Sequence, residues 1–385
     1  MYLLLLGKRS SMILRIQKEA LRQKLAHNKL ILIQGPRHVG KRTVVRQLLE
    51  EMEAPHALLD CSEKATRKIL REHPERLKNA PAFIVLHEAQ YIDNLQYIIE
   101  QVLSGVLSST LIVLCSYVPE LDGALMEALQ QENLVVQLYA PSFYEAAQHF
   151  GLPEEERLLE ERLIYGNYPE VLSNLGTAEE TLQGIIKDAI FTKLSGSERI
   201  NKGDKLLRML HVLAFSIGDT ISYHAIAERC DLDNETVERY ILLLENAFLL
   251  FRLPSYETGQ RYELKKSHMF YFADNGVRNV LIRNFNPTSL RNDMNELWRN
   301  YVIAERMKWL RMHGKQMDSY FWKTHTRQQM DYLEKEGESI RAWKTDWQKR
   351  KKVKFPLSFL EAYPDAKTSV LNRSTYWTFL SQKLK

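Results

Sequence analysis

Leu30-Ile31-Leu32-Ile33-Gln34-Gly35-Pro36-Arg37-His38-Val39-Gly40-Lys41-Arg42-Thr43 runs from an apolar tetrapeptide into a glycine, then on to a second glycine and a lysine. The apolar run predicts a short buried strand, and Val44, Val45, Leu48 and Leu49 are spaced as the inner face of a helix. Between strand and helix, Gly35, Gly40 and Lys41 form the phosphate-loop pattern G-x-x-x-x-G-K in the setting it requires. Glycines let backbone N–H groups close round phosphate oxygens, the helix N-terminus adds partial positive charge, and the lysine reaches the terminal phosphates. The expected nucleotide site is therefore Gly35, Pro36, Arg37, His38, Val39, Gly40, Lys41, Arg42 and Thr43. One position departs from the pattern. Arg42 stands where a serine or threonine hydroxyl would hold Mg²⁺, and Thr43 comes one residue late.

The chain around this motif alternates apolar strands, expected at Leu30–Gln34, Ala57–Cys61, Ala82–His87, Thr110–Cys115 and Leu134–Tyr139, with helical stretches such as Leu95–Leu107 and Leu121–Gln130. That alternation implies an α/β fold with a parallel sheet covered on both faces, here a P-loop NTPase sheet. A second strand in such a protein should end in Asp-Glu, the aspartate ordering the metal shell and the glutamate polarising the attacking water. Here Phe83–Leu86 ends in His87-Glu88, so Glu88 is the candidate catalytic base, with Lys41, if hydrolysis persists. Arg42 and His87 are poor ligands for Mg²⁺, which prefers hard oxygens. ATP is thus the expected ligand, Mg²⁺ is doubtful, and no metal-ligating residues are assigned. Two explanations of Arg42 stay open: a guanidinium that clamps phosphates in place of the cation, or a decayed site with Arg42 in solvent.

The composition, 45% hydrophobic and 26% charged over 385 residues, is that of a globular protein of two or three domains. Cys61, Cys115 and Cys230 are far apart and read as buried thiols of a reducing compartment. Met1–Leu6 is too short for a signal sequence, Met12 is an alternative start, and no stretch reaches membrane-helix length. These features lead us to expect a cytoplasmic protein with no membrane partner. Residues 205–252 read helix, turn, helix, turn, helix, with Asp233 or Asn234 as N-cap, followed by a strand from Phe248 to Leu253. That order suits a winged helix. Beyond it come a helix at Met294–Met312 and strands at Ser319–Lys323, Met330–Leu333 and Ser339–Trp343.

Charge is unevenly spread. Residues 291–385 hold 20 Lys/Arg against 11 Asp/Glu, a net +9, leaving 33 against 37, a net −4, for the rest. The segment Lys349-Arg350-Lys351-Lys352-Val353-Lys354, flanked by Trp343, Trp347 and Phe355, is the candidate contact for DNA or another nucleic acid. The third helix of the 205–252 region argues against base reading, since Glu235, Glu238 and Glu245 face a lone Arg239. Interdomain packing or oligomer formation is the expected use of that module, and a protein is the other partner class expected.

The order of motifs resembles prokaryotic AAA-type ATPases that carry a C-terminal domain of unknown function with a winged helix and a PD-(D/E)xK nuclease-like fold. The loop G-P-R-x-V-G-K-T-T is matched by Gly35–Thr43, D-E-x-Q-Y by His87–Tyr91, P-L-S-F-x-E by Ala140–Glu145, G-G-x-P-E by Gly166–Glu170, and Y-F-x-D-x-G by Tyr271–Gly276. The resemblance runs from about Met12 to the end and implies four parts: an ATPase core at 12–140, a helical lid or connector at 141–204, a winged helix at 205–290 and a degenerate nuclease-like domain at 291–385. Departures from the family fall at hydrolysis positions. Besides 42 and 87, a T-G-S sensor becomes Leu114-Cys115-Ser116, and Gln131-Glu132 replaces a Gly-Arg. In the C-terminal part Asp331 and Lys344 survive, while Arg299 and Arg341-Ala342 stand where relatives carry carboxylates. The resemblance therefore implies a nucleotide-binding member with hydrolysis weak or lost and no nuclease activity. The alternative is a non-enzymatic scaffold or DNA-associated module that keeps the fold.

Overall fold

The Leu30–Gln34 run becomes a strand buried at every position, β1. It sits inside a five-stranded sheet with β2 (His56–Asp60), β3 (Phe83–His87), β4 (Thr110–Cys115) and β5 (Val135–Gln137). The strand order is β2-β3-β4-β1-β5 and every pairing is parallel. Strands covered on both faces need unbroken apolar sequence, which explains the runs at β1, β3 and β4. The structure is a computed structural model that describes residues 13, 15–191, 199–256, 268–315, 317–348 and 353–381. The chain divides into two compact units, Leu14–Ala140 and, with a short N-terminal piece, Pro141–Lys385.

In the first unit the parallel arrangement brings the C-terminal ends of β1, β3 and β4 together, so the phosphate loop, Glu88 and Ser116 share one edge of the sheet. One expected helix is shorter than its apolar pattern. It spans Leu95–Leu103 and stops short of Leu107, because Gly105 turns the chain at φ 78° and Leu107 N–H bonds back to Gln101.

In the second unit, helices at Phe143–Phe150, Leu152–Arg157, Leu159–Tyr165, Pro169–Ser173, Ala178–Phe191, Arg199–Phe215, Tyr223–Cys230 and Asn234–Asn246 precede an antiparallel pair, β6 (Leu250–Pro254) and β7 (His268–Phe272). Thr220 adds a single bridge to Met269 of β7. Asp233 is the N-cap of Asn234–Asn246, accepting from Thr236 N–H at 2.7 Å. After the helix Met294–Met312 come β8 (Asp318–Lys323), β9 (Gln329–Glu336), β10 (Ser339–Thr345), a helix at Leu357–Ala362, β11 (Lys367–Leu371) and a helix at Tyr376–Ser381. This mixed sheet has the order β11-β10-β9-β8, with only β10 and β11 parallel. Most of the basic run, Lys349–Lys352, lies outside the described residues.

Three of the sequence motifs meet in this unit on the Met294–Met312 helix. Glu305 accepts from Phe143 N–H at 2.6 Å, Asn167 Nδ2 at 3.2 Å and Lys308 Nζ at 2.7 Å. Asp274 accepts from the backbone N–H groups of Asn167 at 2.7 Å and Gly276 at 2.8 Å. Burial pushes the carboxyls of Asp274 and Glu305 up, against the pull of Lys308. Gly166 is required here: it takes φ 75°, and a Cβ would lie 1.9 Å from Asp274 Oδ1. Ser142 and Glu145 form a capping box at the start of Phe143–Phe150. Phe143, Asn167 and Asp274 are thus tied together in the interior rather than displayed at a ligand site.

Candidate functional site: a self-engaged phosphate loop

The loop leaves β1 at Gly35, whose backbone passes so close to β5 that a Cβ would fall 1.8 Å from Leu138 O. Gly40, at φ 91°, starts the Lys41–Glu51 helix. Lys41 is buried and turns back over the loop. Its Nζ donates to Gly35 O at 2.8 Å, Pro36 O at 2.7 Å and Ser116 Oγ at 2.9 Å. The Ser116 hydroxyl in turn donates a short hydrogen bond to Glu88 Oε1. The other oxygen of Glu88 accepts from Arg37 Nε at 3.3 Å, Arg37 Nη2 at 3.2 Å and Gln90 Nε2 at 2.8 Å. Gln90 Oε1 accepts in turn from Ser116 N–H. Glu88 and His38 both adopt left-handed backbone, at φ 55° and 62°, an unfavourable choice that clusters at functional sites.

Burial pushes the Lys41 ammonium down to about 8, although the Glu88 charge opposes this. For Glu88, burial acts to raise the carboxyl, but the Lys41 charge, the Ser116 hydroxyl, Arg37 and Gln90 outweigh it and hold it below the usual range. Asp60, at the end of β2, completes the row. It is the register partner of His87 and lies 3.3 Å from His87 Nδ1, while His87 Nε2 is 3.7 Å from Glu88 Oε1.

Residues 27–147 match the family model described as an AAA domain. This part of the chain is an AAA-type P-loop domain. Residues 156–288 match a domain of unknown function, DUF8612. An uncharacterized protein of Haemophilus influenzae is 24% identical over 206 residues, 51% of either chain, so the chain spans about half the length of that relative. Uncharacterized proteins of Mycobacterium bovis and Mycobacterium tuberculosis are each 22% identical over 326 residues, covering 82% of this chain and 70% of theirs. A Walker-type ATPase of Pyrococcus abyssi is similar in structure at a TM-score of 0.46 and 14% identity, covering 70% of this chain and 96% of that one. RuvB of Thermotoga maritima, a Holliday junction branch migration motor, reaches a TM-score of 0.30 at 13% identity, covering 61% and 86%.

The AAA domain links Gly35, Pro36 and Lys41 to Glu88 through Ser116, and draws Arg37 into contact with Glu88. Val39 is fully buried and anchors the loop. Arg42 is exposed on the first helical turn, and among the described residues no hydrogen bond or ion pair to it is present. Position 42 offers a guanidinium, the His87 ring lies against Asp60, and both oxygens of Glu88 are engaged. Sequence reasoning gave no role to Asp60 or to Arg37 as a partner of Glu88. Asp60 could have been found from its place at the end of the strand that precedes β3.

A second cluster lies in the other unit. Asp331 on β9 is buried; it accepts from Thr345 N–H at 2.7 Å, Thr345 Oγ1 at 3.1 Å and Gln329 Nε2 at 2.8 Å, with Arg299 Nε 3.6 Å away. Burial acts to raise its carboxyl, but Arg299, Lys344 and these hydrogen bonds hold it low. Arg299 Nη1 also donates to Gly218 O at 2.9 Å. Arg299, Asp331 and Lys344, three positions marked in the sequence, therefore share one site. Among the described residues, no group of three or more His, Cys, Asp or Glu is placed to hold a metal ion.

Proposed function

We propose that the AAA domain binds a nucleoside triphosphate through Gly35–Thr43 and hydrolyses it weakly or not at all. The observation that carries this reading is the state of Glu88: the residue that would polarise water has both oxygens taken by Ser116, Arg37 and Gln90. The cradle itself is retained, with Lys41 already aimed at the centre of the loop. Titration calorimetry should therefore find ATP binding equally well in Mg²⁺ and in EDTA, with no phosphate release above background. Turnover that depends on both Mg²⁺ and Glu88 would refute the proposal.

Affinity should also depend on pH. Phosphate oxygens bind the protonated ammonium, which in the free protein loses its proton above about 8. Binding above that pH must recover a proton, so affinity falls as pH rises, by up to about tenfold per unit. Lys41→Arg should remove this dependence, because a guanidinium stays charged. Calorimetry at pH values on either side of 8 tests this directly.

The finer assignments of the second unit belong to the same proposal. We read the Arg199–Asn246 helices with β6 and β7 as a winged helix, supported by the Thr220 bridge to β7. Its third helix suits a protein contact better than a DNA groove: Glu235 and Glu238 are exposed, and Glu245 is bound to Arg252 at 2.8 Å. We read the Met294–Met312 helix with β8–β11 as a nuclease-like fold without its metal-binding carboxylates. Nucleic acid and a protein remain the two partner classes proposed for this unit. No described helix is long and apolar enough to cross a membrane, and a cytoplasmic setting is part of the proposal.

A further inference from the structure

Arg37 is held differently from the buried arginine–glutamate pairs of this protein. Its Nε and Nη2 both point at one oxygen, Glu88 Oε2, at 3.3 and 3.2 Å, and Gln90 Nε2 donates to the same oxygen at 2.8 Å. In the second unit, Arg162 engages both oxygens of Glu155 at 3.0 and 2.7 Å, and Arg306 both oxygens of Glu334 at 2.7 and 3.0 Å. Those are fork-on-fork contacts close to the usual length for a guanidinium on a carboxylate. The Arg37 contact is longer, crowded and confined to one oxygen, so another oxyanion would serve Arg37 better than Glu88 does. Glu88 gives up little if Arg37 turns away, because Ser116 and Gln90 still donate to it.

The place of Arg37 says which oxyanion. Lys41, 5% exposed, is engaged by the carbonyls of Gly35 and Pro36 within the loop. Arg42 is exposed on the first turn of the Lys41–Glu51 helix. Arg37 lies between these extremes: its side chain is 24% exposed, yet it reaches Glu88, whose side chain is 6% exposed. Glu88 is the residue that would polarise water against a terminal phosphate, so a cation bound to it sits at the terminal-phosphate end of the loop. Charge must be balanced at that end. A γ-phosphate brought against the Glu88 carboxylate meets a like charge, and Lys41 and Arg37 are cations that act on Glu88. The next carboxylate along the sheet edge, Asp60, is turned to Ser62 and His87.

We infer that Arg37 reads the terminal phosphate: on binding, its guanidinium turns from Glu88 to the γ-phosphate and makes the loop specific for nucleoside triphosphates over diphosphates without a divalent cation. A guanidinium suits this task because it stays charged and its planar fork matches two phosphate oxygens. The inference rests on the proposal that Gly35–Thr43 binds nucleotide. It adds the discrimination between ligands that backbone N–H groups and Lys41 leave open.

Titration calorimetry of the full chain with ATP and with ADP, both in EDTA, tests this. The wild type should bind ATP roughly 10- to 100-fold more tightly than ADP, the worth of one hydrogen bond to a charged group. Arg37→Gln keeps a donor but removes the charge. It should lower ATP affinity by about that factor, leave ADP affinity nearly unchanged, and so erase the preference. Arg37→Lys restores the charge without the fork and should recover part of the preference. A residue that only shapes the loop would affect both nucleotides alike, as Lys41→Ala should. Unchanged thermal melting without nucleotide shows that Arg37→Gln still folds; if it does not, the milder Arg37→Lys reads the same effect as a smaller fall in the ATP-to-ADP ratio. Equal wild-type affinities for ATP and ADP, or a ratio that no Arg37 variant changes, would overturn the inference and leave nucleotide binding standing. Binding of neither nucleotide by the wild type would overturn it together with the nucleotide-binding proposal.

Discussion

Glu305→Ala is expected to destabilise the Pro141–Lys385 unit by about 3–5 kcal/mol, the range for removing one partner of a buried ion pair. Glu305 and Lys308 are both almost fully buried and 2.7 Å apart. Deleting the carboxylate strands the Lys308 ammonium, and it leaves Phe143 N–H and Asn167 Nδ2 without their acceptor. Each unsatisfied donor adds to the cost. All six tryptophans, Trp298, Trp309, Trp322, Trp343, Trp347 and Trp377, lie in this unit, so urea unfolding followed by their fluorescence reports on it alone. Glu305→Ala combined with Lys308→Met removes both charges and should recover a large part of the loss, which a double-mutant cycle would register as strong coupling. A single-variant cost below about 1 kcal/mol, or no coupling, would mean that water reaches the pair and that the motifs meet for some other reason.

Much of the first unit was legible because its signals are local. The β1 and β4 strands are buried at every position and apolar at all but one each, as strands covered on both faces require, and their ends were expected where they occur. The edge strand β5 is only Val135–Gln137, shorter than its apolar neighbourhood suggested, because it has just one partner. β11 was not expected at all. Lys367-Thr368-Ser369-Val370-Leu371 has little strand signal of its own and forms through parallel pairing with β10, a contact between distant parts of the chain.

The site shows the same division. Gly35, Gly40 and Lys41 belong to one contiguous motif, so sequence places them without knowledge of the fold. The pairing of Arg37 with Glu88, and of Asp60 with His87, depends on strand order bringing the ends of β2, β3, β4 and β1 side by side. Resemblance marked Phe143, Asn167 and Asp274 as motif positions, but nothing in their spacing says that they converge on Glu305. Only the packed structure separates these interior ties from ligand contacts.

Lys41→Ala is expected to lower ATP affinity by roughly 10- to 100-fold, the equivalent of one hydrogen bond to a charged group. The loss has two sources. The ammonium is the charged donor nearest the phosphate position, and it also ties the loop together through Gly35 O, Pro36 O and Ser116 Oγ. Glu88→Gln separates this site from an ordinary hydrolytic one. Where a glutamate serves only to polarise water, the amide leaves nucleotide binding intact and stops the chemistry. Here Glu88 is also the counter-charge for Lys41 and the acceptor for Arg37. Its loss should push the Lys41 ammonium below about 8 and weaken binding at neutral pH, and Lys41→Arg in the same background should restore it. Calorimetry on the three variants decides the point. Full ATP affinity in Glu88→Gln would make Glu88 a bystander to binding, and full affinity in Lys41→Ala would remove the loop from the nucleotide site altogether.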